Sequence, residues 1–138
     1  MLDTTTEFGA RAERRLKEER LIWLTTVRAD GTPQPSVVWF LWDGDTVLIY
    51  SQPKTQKLRN IARNPKVALN FHANDRGGDV VIFTGEAHVA ESAPSANDVA
   101  AYVEKYRSSI AAMGVTPEGF AQSYSVPIRV KLTNVRGF

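Results

Sequence analysis

The run QPSVVWFLWDGDTVLIYS (residues 34–51) constrains the fold more than any other stretch. An Asp-Gly pair at 43–44 separates two segments rich in β-branched and aromatic residues. That pattern favours two antiparallel strands joined by a tight turn. The spacing predicts one strand over Gln34–Trp42 and a second over Thr46–Ser51. Neither face of the first strand is polar near Val37–Trp42, so both sides should touch apolar partners. An isolated hairpin is marginal in water, so further strands are needed to cover it.

The rest of the chain supplies them. LIWLTTV (Leu21–Val27), VALNFHA (Val67–Ala73), DVVIFTGEAHVAE (Asp79–Glu91) and the closing SVPIRVKLTNVRGF all read as strands. ADGTP (Ala29–Pro33) and ANDRGG read as turns, and Gly85 is placed to bend or bulge the long strand. Thr4–Arg20 reads as a helix. Thr4 and Glu7 have capping-box spacing, Phe8, Ala12 and Leu16 share a face, and Glu13 and Lys17 pair across one turn. A second helix follows Thr55, with Leu58, Ile61 and Ala62 as its apolar stripe and Pro65 as its stop. A third spans Ser95–Met113, with Val99, Val103 and Tyr106 inward, and PEGFAQSY forms a short helical turn. Antiparallel strands interrupted by helices, with no repeat or linker, predict a small β-barrel with helices over its openings, in one domain spanning residues 1–138.

Composition narrows the function. Apolar residues make up 43% and charged residues 23% of 138, the ordinary globular range. A net charge of +2 argues against general adhesion to nucleic acid, whose only support is a pI near 9.0 and one basic run. The chain has no cysteine, so disulfides, thiolate catalysis and zinc–thiolate sites are excluded together. His72 and His88 lack metal-ligand spacing, and no metal site is expected. Nucleophile-elbow, P-loop and dinucleotide-binding motifs are missing. Asp43 and Asp45 flank a turn glycine and read as turn residues. With no signal-type or membrane-spanning apolar run, a soluble cytoplasmic protein is expected.

One segment departs from this balance. No acid occurs between Thr46 and Asn74, while Lys54, Lys57, Arg59, Arg63 and Lys66 collect in and after SQPKTQKLRNIARNP. Two readings fit. Charge runs commonly form a solvated helix face. Alternatively, Thr55 at the cap puts Lys57 in the first turn, where unpaired N–H groups and the helix dipole favour an anion. Cations at a helix start oppose the dipole, so an anion completes the segment more simply. The aromatic residues Trp39, Phe40 and Trp42 also have two readings, barrel core or the bed of a planar ring whose phosphate lies on that helix.

The segments LIWLTTVRADGTPQPSVVWFLWDGDTVLIYS and KTQKLRNIARNPKVALNF, together with the closing PIRVKLTNVRGF, carry a resemblance across essentially the whole chain. In particular, the Lys-x-x-Asn-hydrophobic-x-x-x-Pro helix after the hairpin resembles that of the split β-barrel flavin and deazaflavin oxidoreductases. These form the superfamily of pyridoxamine 5′-phosphate oxidase. More closely, the chain looks like the actinobacterial branch of coenzyme F420-dependent enzymes. The resemblance implies a mainly β, antiparallel, Greek-key-like split barrel. It places Lys57 at the cofactor phosphate, with Thr55, Arg59 and Asn60 beside it. Ser36, Val37, Val38 and Trp39 would line the (deaza)isoalloxazine ring. It also implies a homodimer whose interface completes the site, with the partner's C-terminal strand as a contributor. The expected activity is hydride transfer from reduced coenzyme F420 to an electron-poor enone, imine or quinone. No acid–base dyad is then required, and a proton would come from solvent or from a tyrosine such as Tyr50 or Tyr124. Two alternatives share the fold: an FMN-dependent reductase or oxidase, and a non-catalytic carrier of either cofactor. Gln56 stands where flavin-binding relatives often have arginine, which weakens the FMN reading. The substrate-phosphate residues of true pyridoxamine-phosphate oxidases are not recognisable.

Overall fold

The computed structural model describes residues 1–138. In chain order the elements are α1 (Glu7–Glu18), β1 (Ile22–Val27), β2 (Pro33–Val38), β3 (Leu41–Asp43), β4 (Thr46–Ser51), α2 (Gln56–Arg63), β5 (Lys66–Asn70), β6 (Val81–Val89), α3 (Ala100–Ala112), α4 (Pro117–Ser123) and β7 (Val126–Gly137). The strands form one antiparallel seven-stranded sheet in the order β2-β1-β5-β6-β7-β4-β3, curled into the half-barrel of a split β-barrel.

The strand expected over Gln34–Trp42 is divided in two. β2 and β3 lie at opposite edges of the sheet, and Trp39–Phe40 is the crossing between them. Its cause is visible at Phe40, whose ring is fully buried. Side chains of α3 take the place of a strand neighbour. The Phe40 N–H donates to the Tyr106 hydroxyl at 2.8 Å, and the Lys105 amine donates to the Phe40 carbonyl at 2.8 Å. Backbone groups that would be left unpaired by leaving the ladder are thereby satisfied.

β4 is buried along both faces, which produces two cores. Val47 and Ile49 face the barrel interior with Leu24, Leu69, Phe83 and Ile128. Leu48 and Tyr50 face outward into a second cluster with Tyr102, Tyr106, Ile110 and Phe120 from α3 and α4. A continuous helix over Ser95–Met113 is not formed: a single 3-10 turn at Ala96–Asp98 precedes α3. The buried stripe is Tyr102, Tyr106 and Ile110, because α3 packs on the outer face of β4 through its aromatic residues.

Two local details also differ from expectation. α1 is capped by Thr6, whose hydroxyl accepts from the Gly9 N–H at 3.0 Å, rather than by Thr4. Gly9 is required there, since a Cβ would lie 1.8 Å from the Asp3 carbonyl oxygen. At the expected bulge, the β6–β7 register shifts between Thr84 and Gly85, and a Cβ on Gly85 would meet the Lys131 carbonyl oxygen at 2.4 Å. α1 is fastened by Arg11, which donates to Asp79 Oδ1 at 2.6 Å, and by Arg15, which reaches the Asp79 and His72 carbonyls at 2.8 and 2.9 Å. No helix is long and apolar enough to cross a membrane.

Candidate cofactor site

β4 delivers the chain to the site. After Ser51 the backbone turns through Lys54, a non-glycine residue at φ 64°, and enters α2 at Gln56. Arg59 Nη1 donates back to the Lys54 carbonyl at 2.8 Å, which holds this turn. Thr55 occupies the N-cap position with extended backbone, but its side chain does not cap the helix. It lies 3.1 Å from the Ser51 hydroxyl instead. The first-turn N–H groups of Gln56, Lys57 and Leu58 consequently have no protein acceptor.

Lys57 sits in this unsatisfied turn. It is half-buried, makes no ion pair or hydrogen bond, and desolvation holds its amine below the usual lysine pKa. Two cavities meet at Lys57 and Thr55. The larger, about 320 Å³, runs between the β2 end of the sheet and the α3–α4 pair. Val37, Val38 and Trp39 form one wall, and Tyr102, Phe120 and Tyr124 form another. Lys57 is the one charged side chain along its surface. The smaller cavity, about 140 Å³, is bounded by Thr26, Gln34, Ser36 and Gln56 along with Thr55 and Lys57, with Pro35 as its one apolar side chain. An apolar chamber and a polar one therefore share a single ammonium group.

The sequence-predicted residues divide accordingly. Lys57, Thr55, Ser36, Val37, Val38 and Trp39 all border one or both cavities. Trp39 is stacked on Tyr106 at 4.6 Å and on Phe120 at 5.3 Å, so its ring belongs to the wall's aromatic packing. Asn60 and Arg59 do not line either cavity. Asn60 is 0% exposed, donates to Thr26 Oγ1 and Gln34 Oε1 at 2.9 and 3.0 Å, and accepts from Gln56 Nε2 at 2.8 Å. Its amide is a clasp between α2 and the strands and has no donor left for a ligand. Arg59 is exposed and also donates to Gln56 Oε1 at 2.7 Å. The helix stripe shifts with them: Ile61 is buried, Leu58 is half-buried and Ala62 is exposed, because Asn60 takes the inward position. The Tyr50 hydroxyl donates to the Pro94 carbonyl at 2.7 Å and is not free.

Sequence reasoning missed Tyr102, Phe120 and Met113, which border the larger cavity from the helical segment between β6 and β7. The aromatic spacing of Tyr102 and Tyr106 was the available signal.

Comparisons with known proteins agree with this architecture. The family model described as pyridoxamine 5′-phosphate oxidase matches residues 8–137. No curated protein matches the chain. Among solved structures, an F420 reductase is 28% identical with a TM-score of 0.66, over 90% of this chain and 94% of that one. A heme storage protein of Vibrio cholerae (16% identity, TM-score 0.65, 96% and 95% coverage) shares the fold. So does an FAD-binding protein of Mesorhizobium loti (15% identity, TM-score 0.60, 92% and 89% coverage). The curled seven-stranded sheet and a family match across nearly its whole length show that the chain belongs to the pyridoxamine 5′-phosphate oxidase family.

Proposed function

We propose that this protein is an oxidoreductase that binds the deazaflavin coenzyme F420 and reduces an electron-poor enone, imine or quinone. The observation that carries this reading is Lys57: a half-buried ammonium with no counter-ion, in a first helical turn with unpaired N–H groups, where an apolar and a polar cavity meet. A phosphate at Lys57 would receive charge-assisted and backbone hydrogen bonds together. The family includes oxidoreductases, and its relatives include flavin-type cofactor binders. The F420 reductase, at 28% identity, supports the deazaflavin choice among them.

The residues present fit such a group. Lys57 and the α2 N–H groups would hold the phosphate, with Ser36 and Thr55 at the same polar chamber. Asn60 acts as a positioning residue, fixing α2 against β1 and β2 through Thr26 and Gln34. Arg59 is too far committed to Lys54 and Gln56 to line the cavities, and contributes positive potential. Val37, Val38 and Trp39 would orient the planar ring and exclude water on one side. When bound, the coenzyme supplies the hydride, while the protein supplies orientation and a dry, apolar setting.

A second copy of the chain belongs to this proposal. Leu21, Val37 and Met113 border the larger cavity yet are 43%, 46% and 46% exposed. Pro33 and Pro35 on edge strand β2 lack the N–H groups that would recruit another strand, so the partner would cover side chains rather than extend the sheet.

Titration with coenzyme F420 and, separately, with FMN tests the reading. Micromolar or tighter binding of coenzyme F420, followed by oxidation of its reduced form by an enone or quinone, supports it. Binding without turnover across such a panel indicates a carrier. Failure to bind either cofactor removes the redox reading.

A further inference from the structure

The two walls of the larger cavity come from separate elements. Val37, Val38 and Trp39 form one wall and lead directly into Phe40, while Tyr102 stands in the other wall on α3. Phe40 lies between β2 and β3, outside the strand ladder, and side chains of α3 hold both of its backbone polar groups. Its N–H donates to the Tyr106 hydroxyl at 2.8 Å. Its carbonyl lies 2.8 Å from the Lys105 amine and 2.9 Å from the Tyr106 hydroxyl. The same hydroxyl is 2.8 Å from the Arg20 carbonyl. A hydroxyl has one proton, so Tyr106 serves one of these two carbonyls at a time. Lys105 keeps the Phe40 carbonyl paired while Tyr106 holds Arg20.

Packing alone does not account for a lysine at this place. The Lys105 amine lies 3.7 Å from the centroid of the Phe40 ring, is half-buried, and makes no ion pair. Burial, aided by Arg20 and opposed by Glu19, pushes its pKa down to about 8, so its charged form opposes folding. An apolar side chain would cover the ring without that cost. What it would not supply is the donor to Phe40. The neighbouring Trp39 ring lies flat on Tyr106, with centroids 4.6 Å apart and planes 3° from parallel. A shift of the Phe40 backbone along α3 would therefore carry the Trp39 ring with it and alter the slot.

We infer that Lys105 is a positioning residue for the planar ligand: by holding the Phe40 carbonyl it fixes the Val37–Trp39 wall against the wall that contains Tyr102, and so sets the width of the slot between them. The inference rests on the proposed function for the flat shape of the ligand, and adds a residue that touches neither cavity.

Lys105→Met keeps an unbranched chain over the Phe40 ring and removes the donor, whereas Lys105→Arg keeps a donor. Calorimetric titration of lumichrome, a flat tricycle without phosphate, reads the slot. Inorganic phosphate, followed through the amide shifts of α2, reads the polar chamber at Lys57. Lys105→Met should weaken lumichrome binding about fivefold or more and leave phosphate affinity unchanged. Lys105→Arg should restore most of the lumichrome affinity. Equal losses for both probes would make Lys105 a residue of general stability, and unchanged lumichrome affinity in Lys105→Met would equally overturn the inference. Reciprocity supplies a second measurement, on the native protein, that does not depend on Lys105→Met folding. Saturating lumichrome should slow hydrogen exchange at the Phe40 amide more than at Leu69 in the interior strand β5; equal slowing would overturn the inference. So would failure of lumichrome to bind the native protein. Should lumichrome bind and coenzyme F420 fail to, the proposed function falls, and the lumichrome comparison still decides the role of Lys105.

Discussion

At the scale of single residues, Lys57 is the test of whether the basic helix binds an anion or merely faces solvent. Lys57→Ala should weaken coenzyme binding by about 1.5–3 kcal/mol, the range for a hydrogen bond to a charged group. An unchanged dissociation constant would return Lys57 to the solvated-face reading. Its pH dependence has a definite sign. Desolvation lowers the Lys57 pKa, so its ammonium is lost at a lower pH than that of an exposed lysine. Coenzyme affinity should therefore begin to fall earlier on the alkaline side, and Lys57→Ala should flatten that limb; the same limb in the variant would assign it elsewhere. Lys105 gives an independent check on the fold. Burial, aided by Arg20, pushes its pKa down to about 8. A lysine with a depressed folded-state pKa contributes stability above its unfolded pKa and loses it as pH falls through the folded value. Relative to Lys105→Met, the native protein should thus gain thermal stability between about pH 8 and 10.5. A constant difference across that window would refute the assignment.

Among the elements, α2 shows what an intrahelical pattern can and cannot reveal. Its position, its Pro65 stop and its N-cap at Thr55 were legible from local signals. The inward turn of Asn60 was not, since its partners Thr26 and Gln34 are remote in sequence and a buried amide resembles an exposed one in a helical pattern. The same limit explains the crossing at Trp39–Phe40. Local β propensity continues through those residues, and only Tyr106 and Lys105, distant in the chain, supply the bonds that end the strand. Most strands and the glycine-associated bulge were legible, because alternation and turn residues are local. Asn60→Ala would leave Thr26, Gln34 and Gln56 without their shared partner and should lower the unfolding free energy by about 2 kcal/mol, measured by denaturant titration. A variant as stable as the native protein would contradict the clasp and leave Asn60 available for ligand contact.

For the whole molecule, the exposed apolar border of the larger cavity is the ground on which we propose that a second copy finishes the site. Light scattering should give twice the chain mass, and Val37→Asp should shift it towards the monomer while weakening coenzyme binding. A monomeric native protein that binds coenzyme fully would remove the partner from the site. The proposed oxidoreductase depends on binding one particular group: a phosphorylated deazaflavin, with its phosphate at Lys57 and its ring along Val37–Trp39. The most direct measurement is a titration of coenzyme F420 into the native protein and Lys57→Ala, with FMN titrated in parallel. Coenzyme F420 should bind the native protein with micromolar or tighter affinity and FMN more weakly, with about a tenfold or greater loss on Lys57→Ala. Absence of coenzyme F420 binding, or equal affinity in the two proteins, would contradict it.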